Sequence, residues 1–278
     1  MQINIGFSTC PNDTFIFDAL INKRINTRGL TFVPFMADVE ELNQKAFRQE
    51  LEVSKLSYHA YAYLTHHYIL SNSGSALGDH VGPLLISKDK NIDINNHNLR
   101  IAIPGNYTTA NFIFSLAYPH LKNKREILFS EIENAIIEEQ IDLGVVIHET
   151  RFTYHERGLN KVEDLGNWWF NKYNTPIPLG AIAINRKLDK ELIATLNILI
   201  KESVEYAFKN PSASLAFVKE HAQDMREDII YNHIKLYVNS FTYDLREKGQ
   251  KAIRTMFKAA IDQGLINNYH EPLFVENN

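Results

Sequence analysis

The chain has a single cysteine among its 278 residues. An intrachain disulfide is therefore excluded, and the composition suits a reducing compartment. Basic residues are not in excess, because 29 Lys and Arg stand against 33 Asp and Glu, for a net charge of −4. This balance argues against nucleic acid as a partner and against adhesion to an anionic membrane surface.

Long apolar runs are also missing. The longest uncharged stretch, residues 56–78, contains histidines, serines and tyrosines and is too polar for a membrane-spanning helix. Gln2 and Asn4 interrupt the apolar residues at the start of the chain, so we expect no secretory signal and a cytoplasmic location. Neither a Gly-x-Gly-x-x-Gly nor a Walker pattern is present, so a nucleotide cofactor has no support.

Eleven histidines raise the question of a metal site. His66 and His67 are adjacent and diverge by about 100° on a helix, so they do not readily chelate one ion. His148 and Glu149 lack the spacing of a His-Glu-x-x-His zinc helix. We therefore expect no metal and no cofactor.

What the sequence does contain is a series of short apolar runs that end in polar residues. The most informative run, residues 143–147, is rich in β-branched residues and is followed by His148. It predicts a buried strand, and ligands of open α/β sheets bind at the carboxyl ends of strands. An imidazole with its ordinary pKa of about 6.5 exchanges protons near neutrality. His148 is thus either a general base or a structural histidine bonded to a carbonyl or to Glu149.

Two further units place the start of a helix just after a short strand. After the strand that opens the chain, Asn12 or Asp13 is a natural N-cap. After the strand at residues 99–103, a Pro-Gly turn leads to Thr108 and Thr109 at the start of a helix. A helix N-terminus and threonine hydroxyls favour an anion, although ordinary capping explains either unit alone.

A third unit, residues 51–57, is a short strand that ends in polar side chains. Lys55 either neutralises a carboxylate or is an ordinary solvated charge, and Ser57 either caps the next helix or donates a hydrogen bond. In the first loop, Cys10 is either a nucleophile paired with a histidine or a small packing residue.

Strand-like and helical patterns alternate up to Ile184, which is typical of an α/β fold. From Asp189 onward the pattern is mostly helical. In the last predicted helix, residues 245–262, Asp244 is the expected N-cap and Gly264 the expected stop signal.

Several short motifs follow one another along nearly the whole chain. They are residues 8–17 (STCPNDTFIF), 54–58 (SKLSY), 74–78 (GSALG), 81–84 (VGPL), 104–110 (PGNYTTA), 147–154 (IHETRFTY), 164–169 (DLGNWW), 176–181 (PIPLGA) and 237–242 (YVNSFT). Together, and in this order, they resemble the 1,4-dihydroxy-6-naphthoate synthases of the futalosine route of menaquinone biosynthesis.

The resemblance implies an α/β, two-lobed fold like that of the type II periplasmic binding proteins, with the ligand cleft between the lobes. Both ends of the chain, 1–88 and 184–278, are then expected to form one lobe. Residues 97–178 are expected to form the other lobe, and the chain is expected to cross between them at 89–96 and 179–183.

The resemblance also implies an activity. A lyase of this family converts cyclic dehypoxanthine futalosine to 1,4-dihydroxy-6-naphthoate and dihydroxyacetone without a cofactor. The implied partner is a small-molecule carboxylate substrate, and the implied general base is His148. The implied substrate-binding residues are Asn12, Asp13, Lys55, Leu56, Ser57, Thr108 and Thr109.

Two other functions compete with this one. A chorismate dehydratase of the same pathway shares the fold, but that family does not carry the Ile-His-Glu segment. A non-catalytic small-carboxylate-binding protein also shares it, but a transport receptor needs an export signal. Arg151 and Tyr154 either orient His148 or close the cleft, and Arg151 alternatively pairs with Glu149. Trp168 and Trp169 stack on a ligand or serve as packing anchors.

Overall fold

The computed structural model describes residues 1–148, 150–222 and 226–276. Strands and helices are interspersed up to Asn185, with four strands in a row between Tyr68 and Ile103. Helices dominate after Asn185, as the hydrophobic pattern predicts. The strands are β1 (Gln2–Phe7), β2 (Thr31–Met36), β3 (Val53–Ser57), β4 (Tyr68–Leu70), β5 (Ala76–Gly78), β6 (Leu84–Ser87), β7 (Ile101–Ile103), β8 (Lys124–Glu126), β9 (Leu143–Val146), β10 (Asn160–Asp164) and β11 (Ile177–Asn185).

The helices vary from single turns to long amphipathic segments. Across the described ranges, none is long and apolar enough to cross a membrane. They are α1 (Pro11–Ile21), α2 (Val39–Phe47), α3 (Tyr58–Leu64), α4 (Thr109–Ala117), α5 (Ile132–Ile137), α6 (Thr150–Thr153), α7 (Leu165–Tyr173), α8 (Lys190–Lys209), α9 (Leu215–His221), α10 (Glu227–Tyr237), α11 (Ser240–Tyr243) and α12 (Arg246–Asp262), with 3₁₀ turns at Phe129–Glu131 and Tyr154–Arg157.

The chain forms two compact units. The first unit consists of Met1–Leu77 and Pro178–Asn278, and the second consists of Gly78–Ile177. These boundaries differ from the expected ones at the segment 78–88, which the sequence analysis assigns to the first lobe. The reason is that β6 pairs with β9 and β10 in the sheet of the second unit, and the expected crossing at 89–96 also lies within that unit.

The sheet of the first unit has the strand order β2-β1-β3-β11-β4, with β5 beside β11. β1 runs parallel to β2 and β3, whereas β11 runs antiparallel to β3 and β4. Helix α8 buries its apolar face against this sheet, because its apolar residues recur at helical spacing. Helix α1 is buried on all sides, since every residue from Pro11 to Leu20 is buried. Ile5, Phe17, Ile182 and Leu199 belong to the resulting core.

The sheet of the second unit has the strand order β10-β6-β9-β7-β8. β7 and β9 are parallel neighbours, with Ile101 opposite Leu143 and Ala102 opposite Gly144. The carboxyl ends of these two strands therefore open onto the same edge of the sheet. This parallel pair determines which loops of the second unit come together.

Two predicted helix caps are wrong. Helix α1 begins at Pro11 with Cys10 as N-cap, so Asn12 and Asp13 lie in its first turn; proline fits the first helical position because its missing N–H has no intrahelical partner there. Helix α12 has Leu245 as N-cap, while Asp244 accepts a hydrogen bond from the backbone N–H of Arg246.

Candidate functional site

In the first unit, the parallel pairing of β1 with β3 brings two of the sequence motifs together. Asp13, in the first turn of α1, accepts bonds at Oδ2 from the backbone N–H of Ser8 at 3.2 Å and from the hydroxyl of Ser8 at 2.7 Å. Its Oδ1 accepts bonds from Asn12 Nδ2 at 2.8 Å and from Lys55 Nζ at 2.6 Å. Both carboxylate oxygens are thus engaged inside the unit.

Lys55 is not a solvated surface charge. Its side chain is 6% exposed and that of Asp13 is 2% exposed, so both charges have lost nearly all their contact with water. Removing one partner of a buried ion pair leaves an uncompensated charge, which is strongly destabilising. The lysine does neutralise a carboxylate, as one reading of the sequence proposes, but that carboxylate is the protein's own.

A fully buried histidine extends this network. His233, in α10, donates from Nε2 to Oδ1 of Asn12 at 2.9 Å. That bond orients the Asn12 amide so that its NH₂ group faces Asp13. No local signal in the sequence points to His233, because its partner lies 221 positions away in the chain.

Ser57 and Leu56 lie at the end of β3 and are both buried. Asn43 of α2 makes two hydrogen bonds to Ser57. Its Oδ1 accepts the backbone N–H of Ser57 at 3.0 Å, and its Nδ2 donates to the Ser57 hydroxyl at 3.1 Å. Ser57 occupies the N-cap position of α3, as one of the two sequence alternatives predicts, but its hydroxyl makes no capping hydrogen bond there. Leu56 pairs with Ala181 of β11.

In the second unit, Thr108 and Thr109 open α4 after β7, as the sequence predicts. The hydroxyl of Thr108 donates to the carbonyl of Gly105 at 2.8 Å and accepts the backbone N–H of Asn111 at 3.2 Å. Thr108 is therefore a helix N-cap, and its neighbour Thr109 is the first residue of the helix. Both threonines are buried.

A cation outside all of the sequence motifs, Lys124, lies beside the first turn of α4. Lys124 of β8 donates to Oδ1 of Asn111 and to the hydroxyl of Ser115, each at 2.9 Å. Burial lowers the pKa of Lys124, and the like charge of Lys122 lowers it further. This ammonium group adds positive charge at a helix end whose dipole already favours anions.

The predicted strand before His148 is confirmed, because β9 ends at Val146. Its carboxyl end opens onto the same sheet edge as the loop that leads from β7 to α4. His148 is half-buried, has a φ of 60° and packs edge-to-face on Phe129 at a ring distance of 4.6 Å. A non-glycine residue in the left-handed region is uncommon, and such residues cluster at functional sites.

The remaining residues of interest have mainly structural contacts. Arg151 pairs with Asp164 at 2.7 Å, while Glu149, its predicted partner, lies outside the described residues. Trp169 is fully buried and donates from Nε1 to the carbonyl of Pro176 at 3.3 Å, as expected for a packing anchor. Cys10 is buried. Within the described ranges, no group of three or more His, Cys, Asp or Glu side chains is arranged to hold a metal ion.

Comparison with known proteins places the whole chain in one family. The model of a family described as menaquinone biosynthesis matches residues 3–262. A 1,4-dihydroxy-6-naphthoate synthase of Thermus thermophilus is 39% identical over 273 residues, covering 98% of this chain and 99% of the relative. An enzyme of the same name from Streptomyces coelicolor is 38% identical over 269 residues, covering 95% and 94%.

Solved structures agree on the fold. A protein from Archaeoglobus fulgidus superposes with a TM-score of 0.90 at 33% identity, covering 95% of this chain and 98% of that one. A Candida albicans protein described as having the generic periplasmic binding protein fold superposes with a TM-score of 0.69 at 10% identity, covering 98% and 92%. The predicted α/β fold of the periplasmic-binding-protein type is thereby confirmed.

Proposed function

The chain belongs to the menaquinone biosynthesis family of 1,4-dihydroxy-6-naphthoate synthases, and from this membership we propose that it is a carbon–carbon lyase. Its substrate is cyclic dehypoxanthine futalosine, and its products are 1,4-dihydroxy-6-naphthoate and dihydroxyacetone. The enzyme acts in the cytoplasm. It needs no redox cofactor, because formation of the second aromatic ring supplies the driving force of the reaction. This assignment is supported by two synthases that are 39% and 38% identical to the chain over nearly its full length.

The observation that carries a mechanism is the position of His148. It follows β9 at the sheet edge onto which the loop leading to α4 also opens, so a titratable imidazole and an anion-favouring helix end belong to one edge of the second unit. We propose that His148 acts as the general base that starts ring opening and carbon–carbon cleavage. Positioned base catalysis contributes about 10²–10⁴-fold, and orientation and exclusion of water supply the rest.

The substrate's aromatic carboxylate needs a fixed position. We propose that the N-terminal end of α4, with Thr108 and Thr109, binds it, and the charge of Lys124 beside the first turn supports this choice. The helix dipole and first-turn N–H groups favour a negative group at this position.

In the first unit, Ser57 and Leu56 are the proposed direct contacts. Among the described residues, the Ser57 hydroxyl accepts a bond from Asn43 and keeps its proton for a donor role. The charges of Lys55 and Asp13 compensate each other, and Asn12 donates a hydrogen bond to the same carboxylate. We propose that these three residues present a polar surface of no net charge to the sugar-derived hydroxyl groups.

The decisive test is a substrate comparison. Pure protein is incubated separately with cyclic dehypoxanthine futalosine and with chorismate, with EDTA and no added metal, and the products are identified by mass. We expect 1,4-dihydroxy-6-naphthoate and dihydroxyacetone from the first compound and no change in the second. Dehydration of chorismate would instead identify a chorismate dehydratase, and binding without turnover would identify a non-catalytic carboxylate-binding protein.

The threonines at α4 allow a specific prediction. Replacing Thr108 and Thr109 together by valine keeps their size and β-branching but removes both hydroxyls. The Thr108 hydroxyl donates its proton to the Gly105 carbonyl, so the loss of substrate binding is expected from the Thr109 hydroxyl. We expect the KM to rise roughly ten- to a hundredfold, because one hydrogen bond to a charged group contributes roughly 1.5–3 kcal/mol. Steady-state kinetics over a range of substrate concentrations measures the change.

The matched control is Thr108→Ser, which keeps the capping hydroxyl of α4 and should keep both KM and melting temperature. Losing the cap itself costs about 1 kcal/mol of stability, so the melting temperature of each variant is recorded as well. A double valine variant with the wild-type KM would mean that the threonines serve only as helix caps.

A further inference from the structure

We propose that Arg151 is a positioning residue that holds the turn carrying His148 in its unusual backbone conformation. The inference rests on the role of His148 proposed above. Arg151 belongs to α6, which directly follows this turn. Every contact that carries the argument lies inside the second unit.

The guanidinium group of Arg151 binds two acceptors on different segments. One amino group donates to Oδ2 of Asp164 at 2.7 Å, and the other donates to the backbone carbonyl of Gly82. The side chains of Arg151 and Asp164 are 16% and 8% exposed, so water screens the pair weakly. A planar fork with several donors suits two diverging acceptors, whereas a lysine ammonium is a compact point charge that lacks this geometry.

These two acceptors belong to a rigid part of the unit. Oδ1 of Asp164 accepts the backbone N–H groups of Gly166 at 2.9 Å and Asn167 at 3.2 Å, which caps α7. A Cβ atom on Gly166 would lie 2.2 Å from the backbone nitrogen of Gly82, so the two backbones are in direct contact. Arg151 is therefore anchored to a helix start and to the segment that enters β6.

Described contacts therefore hold the backbone on both sides of His148. On one side, β9 pairs with β6 and β7. On the other side, the backbone N–H of Arg151 donates to the carbonyl of His148 at 3.4 Å. The guanidinium group of Arg151 is held by Asp164 and by the carbonyl of Gly82. His148 has a φ of 60° in between, in the left-handed region, which costs a non-glycine residue free energy. Contacts that hold the neighbouring backbone on both sides offset this cost.

Loss of the guanidinium contacts should let this turn relax and displace the imidazole. A misplacement of about 1 Å costs a catalytic group up to about a hundredfold in rate. The substrate contacts proposed above, Ser57, Leu56, Thr108 and Thr109, do not include Arg151. The signature of a positioning role is therefore a lower kcat at nearly constant KM.

The experiment compares Arg151→Lys and Asp164→Asn with wild type. Asp164→Asn keeps a carbonyl oxygen that can cap α7 but removes the charge that Arg151 binds. We expect the kcat of the folded enzyme to fall by about tenfold or more in both variants, with KM within about threefold. Arg151→Lys keeps a cation beside Asp164 and should change the melting temperature little, whereas Asp164→Asn leaves Arg151 without its partner and should lower it. Arg157→Lys is the matched control, since Arg157 lies in the next turn and bonds Asn134 at 2.7 Å and Glu133 at 3.4 Å; it should keep wild-type kinetics.

A double-mutant cycle with His148→Asn separates positioning from structure. If Arg151 acts through His148, adding Arg151→Lys to His148→Asn should leave the residual kcat unchanged within about twofold. The ring proton resonances of His148, assigned by their loss in His148→Asn, should also shift in Arg151→Lys.

Two results would overturn the inference. One is a wild-type kcat in Arg151→Lys and Asp164→Asn, or a loss that only follows the loss of folded protein. The other is a fully active His148→Asn variant, which removes the base and with it any role in positioning the base. An inactive His148→Asn variant beside a fully active Arg151→Lys variant would leave the proposed function intact and reject the positioning role alone.

Discussion

Replacing His148 by asparagine is expected to lower kcat by about a hundredfold or more while substrate affinity stays within about threefold. The imidazole is the proposed proton acceptor, and an amide cannot take its place. The loss therefore falls on the chemical step and not on binding. Single-turnover kinetics and equilibrium binding of the substrate measure the two quantities separately.

Asparagine is the appropriate substitution because of the backbone. His148 has a φ of 60°, and asparagine tolerates the left-handed region better than most residues. His148→Ala removes the same group but also strains the turn, so a comparison of melting temperatures shows how much of its effect is structural. If His148→Asn turns over at the wild-type rate, the histidine has a structural role and the base lies elsewhere.

The second large effect is expected from the buried ion pair of the first unit. Replacing Lys55 by methionine leaves the Asp13 carboxylate without its cation in surroundings that exclude water. We expect the free energy of unfolding to fall by about 3–5 kcal/mol, the usual result of removing one partner of a buried pair. Urea unfolding followed by circular dichroism measures the change.

A double-mutant cycle with Asp13→Asn tests the pairing directly. The double variant should lose less than the sum of the two single variants, because neither charge is then left unpaired. Lys88→Met is the matched control: its partner is Glu139, and the two side chains are 50% and 73% exposed, so the expected loss is at most about 1 kcal/mol. A loss of that small size in Lys55→Met would contradict a buried, uncompensated charge.

Local pattern was sufficient for much of the fold. The apolar run before His148 predicts β9, and the spacing of apolar residues predicts α8, since both periodicities are properties of neighbouring residues. The Pro-Gly turn before Thr108 and Thr109 likewise predicts the start of α4. The order of the motifs identified the family, because six or more motifs that occur in the family's order are far more specific than any single motif.

The boundary of the second unit and the partners of the charged residues depended on the tertiary structure. The segment 78–88 belongs to the second unit because β6 pairs with β9 and β10. The apolar residues of β6 do not by themselves specify these partner strands. A strand's hydrophobicity specifies that it is buried, but its neighbours are selected by how the whole sheet packs.

By itself, the sequence determined the element types, the family and the candidate chemistry at His148. Only the tertiary structure decided that Lys55 faces Asp13, that Asn12 is oriented by His233, and that Arg151 binds Asp164. Periodicity and capping signals act over a few residues. Packing brings the partners of buried polar and charged groups together across 13 positions for Arg151, 42 for Lys55 and 221 for His233. No local pattern carries that information.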